Sequence, residues 1–213
     1  MRYKLIILLV SGLLAFAASA FAQGEPNLKI GLNSVSMQDM GYTHDTGTER
    51  ISTTGTMVGT ELFLEYLVSE YFGFELDYTT SPLERNYDLE IKQTNTFISD
   101  NVTETATYYT YGFNLYLDKA FAKGLNTWVG VATGAMTVVQ EFEGGSLGDK
   151  SATHKLNLDV VRAGVDWSTE VAGFRARAHY QVAKNTTTKA IEGVKQTMDY
   201  SGPGFSVGVF AKF

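Results

Sequence analysis

The sequence predicts an all-β protein, an eight-stranded antiparallel transmembrane β-barrel of up-and-down topology. Three features point there. Apolar and polar residues alternate with period two along most of residues 58–213, the connections between these runs are short and long in turn, and the last residue is an aromatic on the apolar face of its run. A period of two puts successive side chains on opposite faces of a strand, so each run reads as a strand with one apolar and one polar face. With 21 glycines against 3 prolines and 13% aromatic residues, the composition suits strands joined by tight turns.

The N-terminus stands apart from this pattern. Arg2 and Lys4 precede an apolar run from Leu5 to about Ala18, followed by Ala20-Phe21-Ala22 and then Gln23. Early cations, an apolar stretch and a small-residue site make a secretory signal peptide, with Ala20 and Ala22 at the cleavage site. The run is short for a spanning helix of about 20 residues, which sets an uncleaved anchor behind cleavage. Residues 1–22 are therefore assigned to a signal peptide and 23–213 to a single barrel domain. Cysteine is absent, so disulfides contribute nothing and the domain must fold on burial and hydrogen bonding.

The strands follow in order. The first, near Leu28, Ile30 and Leu32, is the weakest. The second sets Val58, Leu62, Leu64 and Tyr66 against Gly59, Glu61, Phe63 and Glu65, and the third sets Phe72, Phe74, Leu76 and Tyr78 against Gly73, Glu75, Asp77 and Thr79. The fourth carries Tyr109 to Leu117. The fifth, Leu125 to about Val139, has small residues at Gly130, Ala132 and Gly134. In the sixth the apolar phase slips between Leu156, Leu158, Val160 and Ala163, Val165, Trp167, which predicts a bulge near Val160 and Val161. The seventh opposes Phe174, Ala176, Ala178 and Tyr180 to Arg175, Arg177 and His179, and the eighth ends Phe205, Val207, Val209, Ala211, Phe213.

Connection lengths sort by side. Long loops are expected at 38–55, 81–105, 140–155 and 184–202, and short turns at 68–70, 118–124 and 169–173. That asymmetry fits a barrel with both termini on the periplasmic side and its long loops outside. Alternation alone does not say which face meets lipid. The polar faces mix charges with glycines, a combination that packs in the narrow interior of an eight-stranded barrel, so the apolar faces are assigned outward. Acids lie on the second and third strands, Arg162 on the sixth, Arg175 and Arg177 on the seventh and Lys212 on the eighth. Closing the ring sets these opposite one another, and Glu61, Glu65, Glu75, Asp77, Arg162, Arg175, Arg177 and Lys212 are expected to form an ion-pair network that plugs the lumen. Tyr66, Tyr71, Phe72, Tyr78, Tyr108 and Tyr109 are placed in interfacial aromatic girdles.

The terminal Phe213, on a final alternating strand, looks like the C-terminal signature that the barrel assembly machinery reads. With the leader and the strand pattern, the mature chain resembles the small OmpA/OmpX-like and OmpW-like barrel superfamily. The resemblance implies residence in the outer membrane of a Gram-negative bacterium, among its lipid and lipopolysaccharide, with the first and last strands paired. It does not imply one activity, since such barrels include structural proteins, adhesins, channels for small hydrophobic molecules and lipid A-modifying enzymes.

Several functions are excluded or set back. A net charge of −6 argues against nucleic acid as a partner. Among the histidines, His44 and His154 fall in or beside loops, while His179 falls on the lumen face and has Gln181, not Ser, two residues on. Catalysis there ranks behind packing, and neither an enzyme nor a cofactor is expected. Glu141, Glu143 and Asp149 read as solvated loop charge before a calcium site. The sequons at Asn101 and Asn185 matter only in a eukaryotic secretory route, and Gly144-Gly145 is a loop tip with no helix behind it. The reading preferred is a non-enzymatic barrel with a plugged, charged lumen and long extracellular loops that serve surface interaction with an outside partner or envelope integrity. The alternative is an OmpW-like channel for small hydrophobic molecules, for which the Gly/Ala-rich fifth strand would leave a gap.

Overall fold

The computed structural model describes residues 27–45, 49–91, 96–118, 120, 122–142, 150–187 and 196–213. The expected leader, with Ala20 and Ala22, and the loop residues Glu143, Gly144, Gly145 and Asp149 lie outside the described residues. The strands are β1 (Leu28–Asp45), β2 (Glu49–Ser69), β3 (Phe72–Ile91), β4 (Thr96–Tyr116), β5 (Gly124–Phe142), β6 (Lys150–Ser168), β7 (Ala172–Val182), β8 (Lys184–Thr187), β9 (Gln196–Asp199) and β10 (Gly202–Lys212). β7 and β8 are one stave interrupted at Ala183, and β9 and β10 one stave interrupted at Tyr200 and Ser201. Eight staves result. Each pairs antiparallel with its neighbour in chain order, and β10 returns to β1 from Lys29↔Lys212 to Met37↔Gly204, closing the ring. Closure leaves no edge strand with unpaired backbone groups, which is what lets a sheet cross lipid.

The short turns lie where the alternation breaks, at Glu70 and Tyr71 between β2 and β3 and at 169–171 between β6 and β7. Before β5 the chain enters through Gly124 at φ 94°, a conformation that glycine adopts without steric cost. The seam at the termini is tied three times, by Phe213 N–H donating to Leu28 O and by the N–H groups of Asn27 and Leu28 both donating to Phe213 O.

The spans expected to be long loops are largely strand. β1 and β2 run on to Asp45 and from Glu49, β3 and β4 to Ile91 and from Thr96, and β5 and β6 to Phe142 and from Lys150. Where their side chains are described, at Thr103, Thr105, Thr107, Thr137, Ser151 and Thr153, these extensions put Thr and Ser on the outer face, so a search for apolar alternation passes over them. One interruption stands out. The β2–β3 ladder runs from Ser69↔Phe72 to Thr60↔Thr80 and resumes at Ser52↔Asp88, with no ladder pairing across residues 53–59 and 81–87. Pro82 lies in that gap with no N–H to give, and Ser81 Oγ donates instead to Val58 O at 2.8 Å.

The expected bulge at Val160 and Val161 is absent. The β5–β6 and β6–β7 registers run unbroken through both residues. What changes there is the chemistry of the two faces. Leu156 and Leu158 point into the barrel and are buried, with Asn157 and Asp159 outward; further along, Arg162 and Asp166 point inward, with Val161, Val165 and Trp167 outward. The apolar face moves from lumen to exterior without a shift in the backbone, because lipid surrounds one stretch and water the other. Tyr108 follows the same rule: expected in an aromatic girdle, it is buried in the lumen at 4% exposure, while Tyr66, Tyr71, Phe72, Tyr78 and Tyr109 are exposed outside.

Candidate functional site in the barrel lumen

Two floors fill the lumen. The floor level with the lipid-facing belt is charged, and Arg175 is at its centre. Its Nε donates to Asp166 Oδ1 at 2.8 Å, Nη2 to Asp166 Oδ2 at 2.9 Å and to Glu65 Oε2 at 2.7 Å, and Nη1 to Glu75 Oε2 at 2.5 Å. The guanidinium stacks over the rings of Phe63, at 4.3 Å, and Trp128, at 4.8 Å. Arg162 Nη1 reaches Asp77 Oδ2 and Glu75 Oε1, each at 2.7 Å, while Arg177 Nη2 pairs with Glu61 and its Nη1 lies 3.4 Å from both Glu75 and Asp77. A planar fork with several donors can satisfy more than one carboxylate at a time, which a lysine cannot do in the same geometry.

Alternation from elsewhere on the ring adds the residues that sequence reasoning missed. Lys29 donates to Asp166 Oδ2 at 2.7 Å and to Tyr116 Oη at 2.8 Å, and Tyr116 in turn donates to Glu65. Asn114 Nδ2 donates to Glu65 and Glu75, its Oδ1 accepts from Arg162 Nε, and Trp128 Nε1 donates to Asp166 at 3.1 Å. The signal was available: Lys29 alternates with Leu28 and Ile30, and Asp166 with Val165 and Trp167. Lys212, by contrast, directs its Nζ to the carbonyl of Thr169 at 2.8 Å, at the end of the barrel where the chain closes.

Small residues make room for these groups. The small face of β5 leaves no gap at Gly130, because the side chains of Asn114 and Arg162 stand against it. At Gly164 a Cβ would run into the ring of Trp128.

Above this floor the lumen is apolar. Val35, Met37, Met57, Ala106, Tyr108, Met136, Val138, Leu156, Leu158 and Tyr200 form one buried cluster. Over it lies a short polar chain: Tyr200 Oη and Gln140 Nε2 both donate to Glu104, at 3.1 and 2.6 Å, and His154 Nε2 lies 3.1 Å from Gln140 Oε1. Burial pushes His154 below its ordinary value of 6.5, with Glu104 pulling the other way. Glu141 is exposed. His179 faces the lumen between the floors.

A closed barrel with an apolar belt outside and an ion-paired floor inside is built to be surrounded by lipid, as a β-barrel of the outer-membrane kind. Two solved structures agree in fold. The chain is similar to the outer membrane protein OprG of Pseudomonas aeruginosa, with 14% identity, a TM-score of 0.61, and 89% of this chain and 96% of that one covered. It is similar to Neisserial surface protein A at 12% identity and TM-score 0.55, covering 90% of this chain and 100% of that one. The outer membrane protease OmpT of Escherichia coli aligns at 7% identity and TM-score 0.47, over 90% of this chain and 98% of that one. No protein-family model and no curated protein matches the chain. The fold is that of small barrels of bacterial outer membranes, and the outer membrane is where a barrel of this build resides.

Proposed function

We propose that the protein is a non-enzymatic, non-conducting outer-membrane barrel whose work is done at its extracellular end, in surface interaction or envelope integrity. The observation that carries this reading is the double closure of the lumen. Glu61, Glu65, Glu75, Asp77, Arg162, Arg175 and Arg177 span the interior at one level, and the Met37–Leu158–Tyr200 cluster fills it at the next. An ion crossing both would have to break buried pairs and then enter an apolar region, each costing several kcal/mol. Lys212 and Phe213 belong to the closing seam, where Phe213 acts in assembly, and residues 1–22 serve export. The strands carried past the belt reach away from the membrane, which suits contact with a partner or with lipopolysaccharide sugars. The test is planar-bilayer conductance of the refolded protein, with heat-modifiable migration as the check that the barrel has formed. Folded protein without resolvable steps is the expected result, and reproducible steps would overturn the closed lumen.

A second reading rests on the interrupted β2–β3 ladder. The gap at 53–59 and 81–87 lies just beyond the lipid-facing belt, beside Met57 and the apolar cluster, so a small apolar molecule entering from outside could leave sideways at the outer margin of the membrane. Faster uptake of an apolar dye into vesicles carrying the barrel, in the absence of ion current, would favour it.

A further inference from the structure

Where the two floors meet, His179 makes a contact with Met37 of the apolar cluster. His179 Nε2 lies 2.7 Å from Met37 Sδ across the β7–β10–β1 seam. The other ring nitrogen, Nδ1, is buried and has no hydrogen-bond partner among the described residues. Met57 is the direct cross-strand partner of Met37, and both are buried. Gly204 lies beside the pair, and a Cβ there would collide with both the imidazole nitrogen and the thioether sulfur, so the absence of a side chain is what lets the two meet.

These are uncharged soft donors gathered in a water-poor space. Hard divalent cations ask for several oxygens, and the nearby carboxylates Glu61 and Asp77 are already engaged by Arg177 and Arg162. Thioether and imidazole donors suit a soft monovalent ion. We propose that Met37 and His179, with Met57 as a third donor, form a luminal site for a soft monovalent metal ion, Cu(I) or its analogue Ag(I). Seating the ion requires the thioether to swing back from the ring, which the rotatable bonds of methionine permit. The two arginines below, Arg162 and Arg177, are paired with Asp77 and Glu61 of the charged floor.

The test uses the full refolded barrel in detergent and a chloride-free nitrate buffer, dialysed against Ag(I). One ion per barrel is expected, with affinity lowered about tenfold or more in Met37→Leu and in His179→Gln, each confirmed as folded by heat-modifiable migration. Absence of binding, or equal binding by the variants, overturns the site. A second measurement needs no variant: peroxide oxidation of Met37 and Met57, mapped by peptide mass with and without Ag(I). Slower oxidation with the ion present supports the site, and unchanged rates count against it.

Discussion

Arg175 touches Asp166, Glu65 and Glu75 at once, with side-chain exposure of 0% on both sides of each pair. Removing it would leave three carboxylates facing each other out of water, and breaking a buried pair by deleting one partner typically costs about 3–5 kcal/mol. Arg175→Gln should therefore lower the denaturant midpoint by that order, and a loss below about 1 kcal/mol would mean that water already screens the floor. His154 gives a pH prediction. Its folded value lies below 6.5, so the unfolded chain binds the proton more readily. That contribution is fully present above 6.5 and is lost as pH falls below it toward the folded value. His154→Gln should flatten this part of the stability profile, as followed by urea unfolding at stepped pH; an unchanged slope would assign it to other groups. Much of the floor was legible residue by residue, because alternation places each charge on a face. Which cation meets which acid was not, since stagger around the ring decides it; this is how Lys212 came to rest on a carbonyl while Lys29 took Asp166.

A single strand, β6, carries the reversal of sidedness that organises the whole barrel. Its outward Val165 faces lipid, its outward Asn157 faces water, and its inward Leu158 lies in the apolar cluster. Three substitutions separate these environments. Val165→Lys should cost about 2–4 kcal/mol, the range for a cation set into the lipid-facing belt. Asn157→Lys should stay within about 0.5 kcal/mol, while Leu158→Ala should cost about 2–5 kcal/mol through the cavity it leaves. Equilibrium folding into lipid vesicles measures all three, and equal effects for Val165 and Asn157 would contradict the reversal. The strand count and the short turns were readable because they depend only on where alternation stops. The bulge expected at Val160 and the loops expected at 81–105 and 140–155 failed for one shared reason. Both assumed that the apolar face stays on one side of the sheet, whereas outside the bilayer the apolar side is the lumen and Thr103, Thr105, Thr107 and Thr137 face outward.

At the scale of the whole molecule, the belt sets the membrane the barrel fits. On β4 the outward apolar residues run from Tyr109 through Tyr111 and Phe113 to Leu115, with Leu117 just past its end, and on β7 from Phe174 to Val182. Nine residues span eight rises of about 3.4 Å, which on strands tilted about 40° give an apolar height of about 21 Å. Beyond Tyr109 the outer face turns to threonine, so the barrel cannot extend its belt by sinking deeper without burying hydroxyls in hydrocarbon. A thick bilayer must thin locally around it, at a cost of fractions of a kcal/mol per ångström of mismatch. Folding into vesicles should therefore be more complete in short-chain phosphatidylcholine than in long-chain, with the folded fraction read from heat-modifiable migration. Equal yields across chain lengths would mean that the polar extensions above Tyr109 and Tyr180 enter the bilayer after all, and the division of the lumen into a membrane-level charged floor and an apolar plug above it would have to be redrawn.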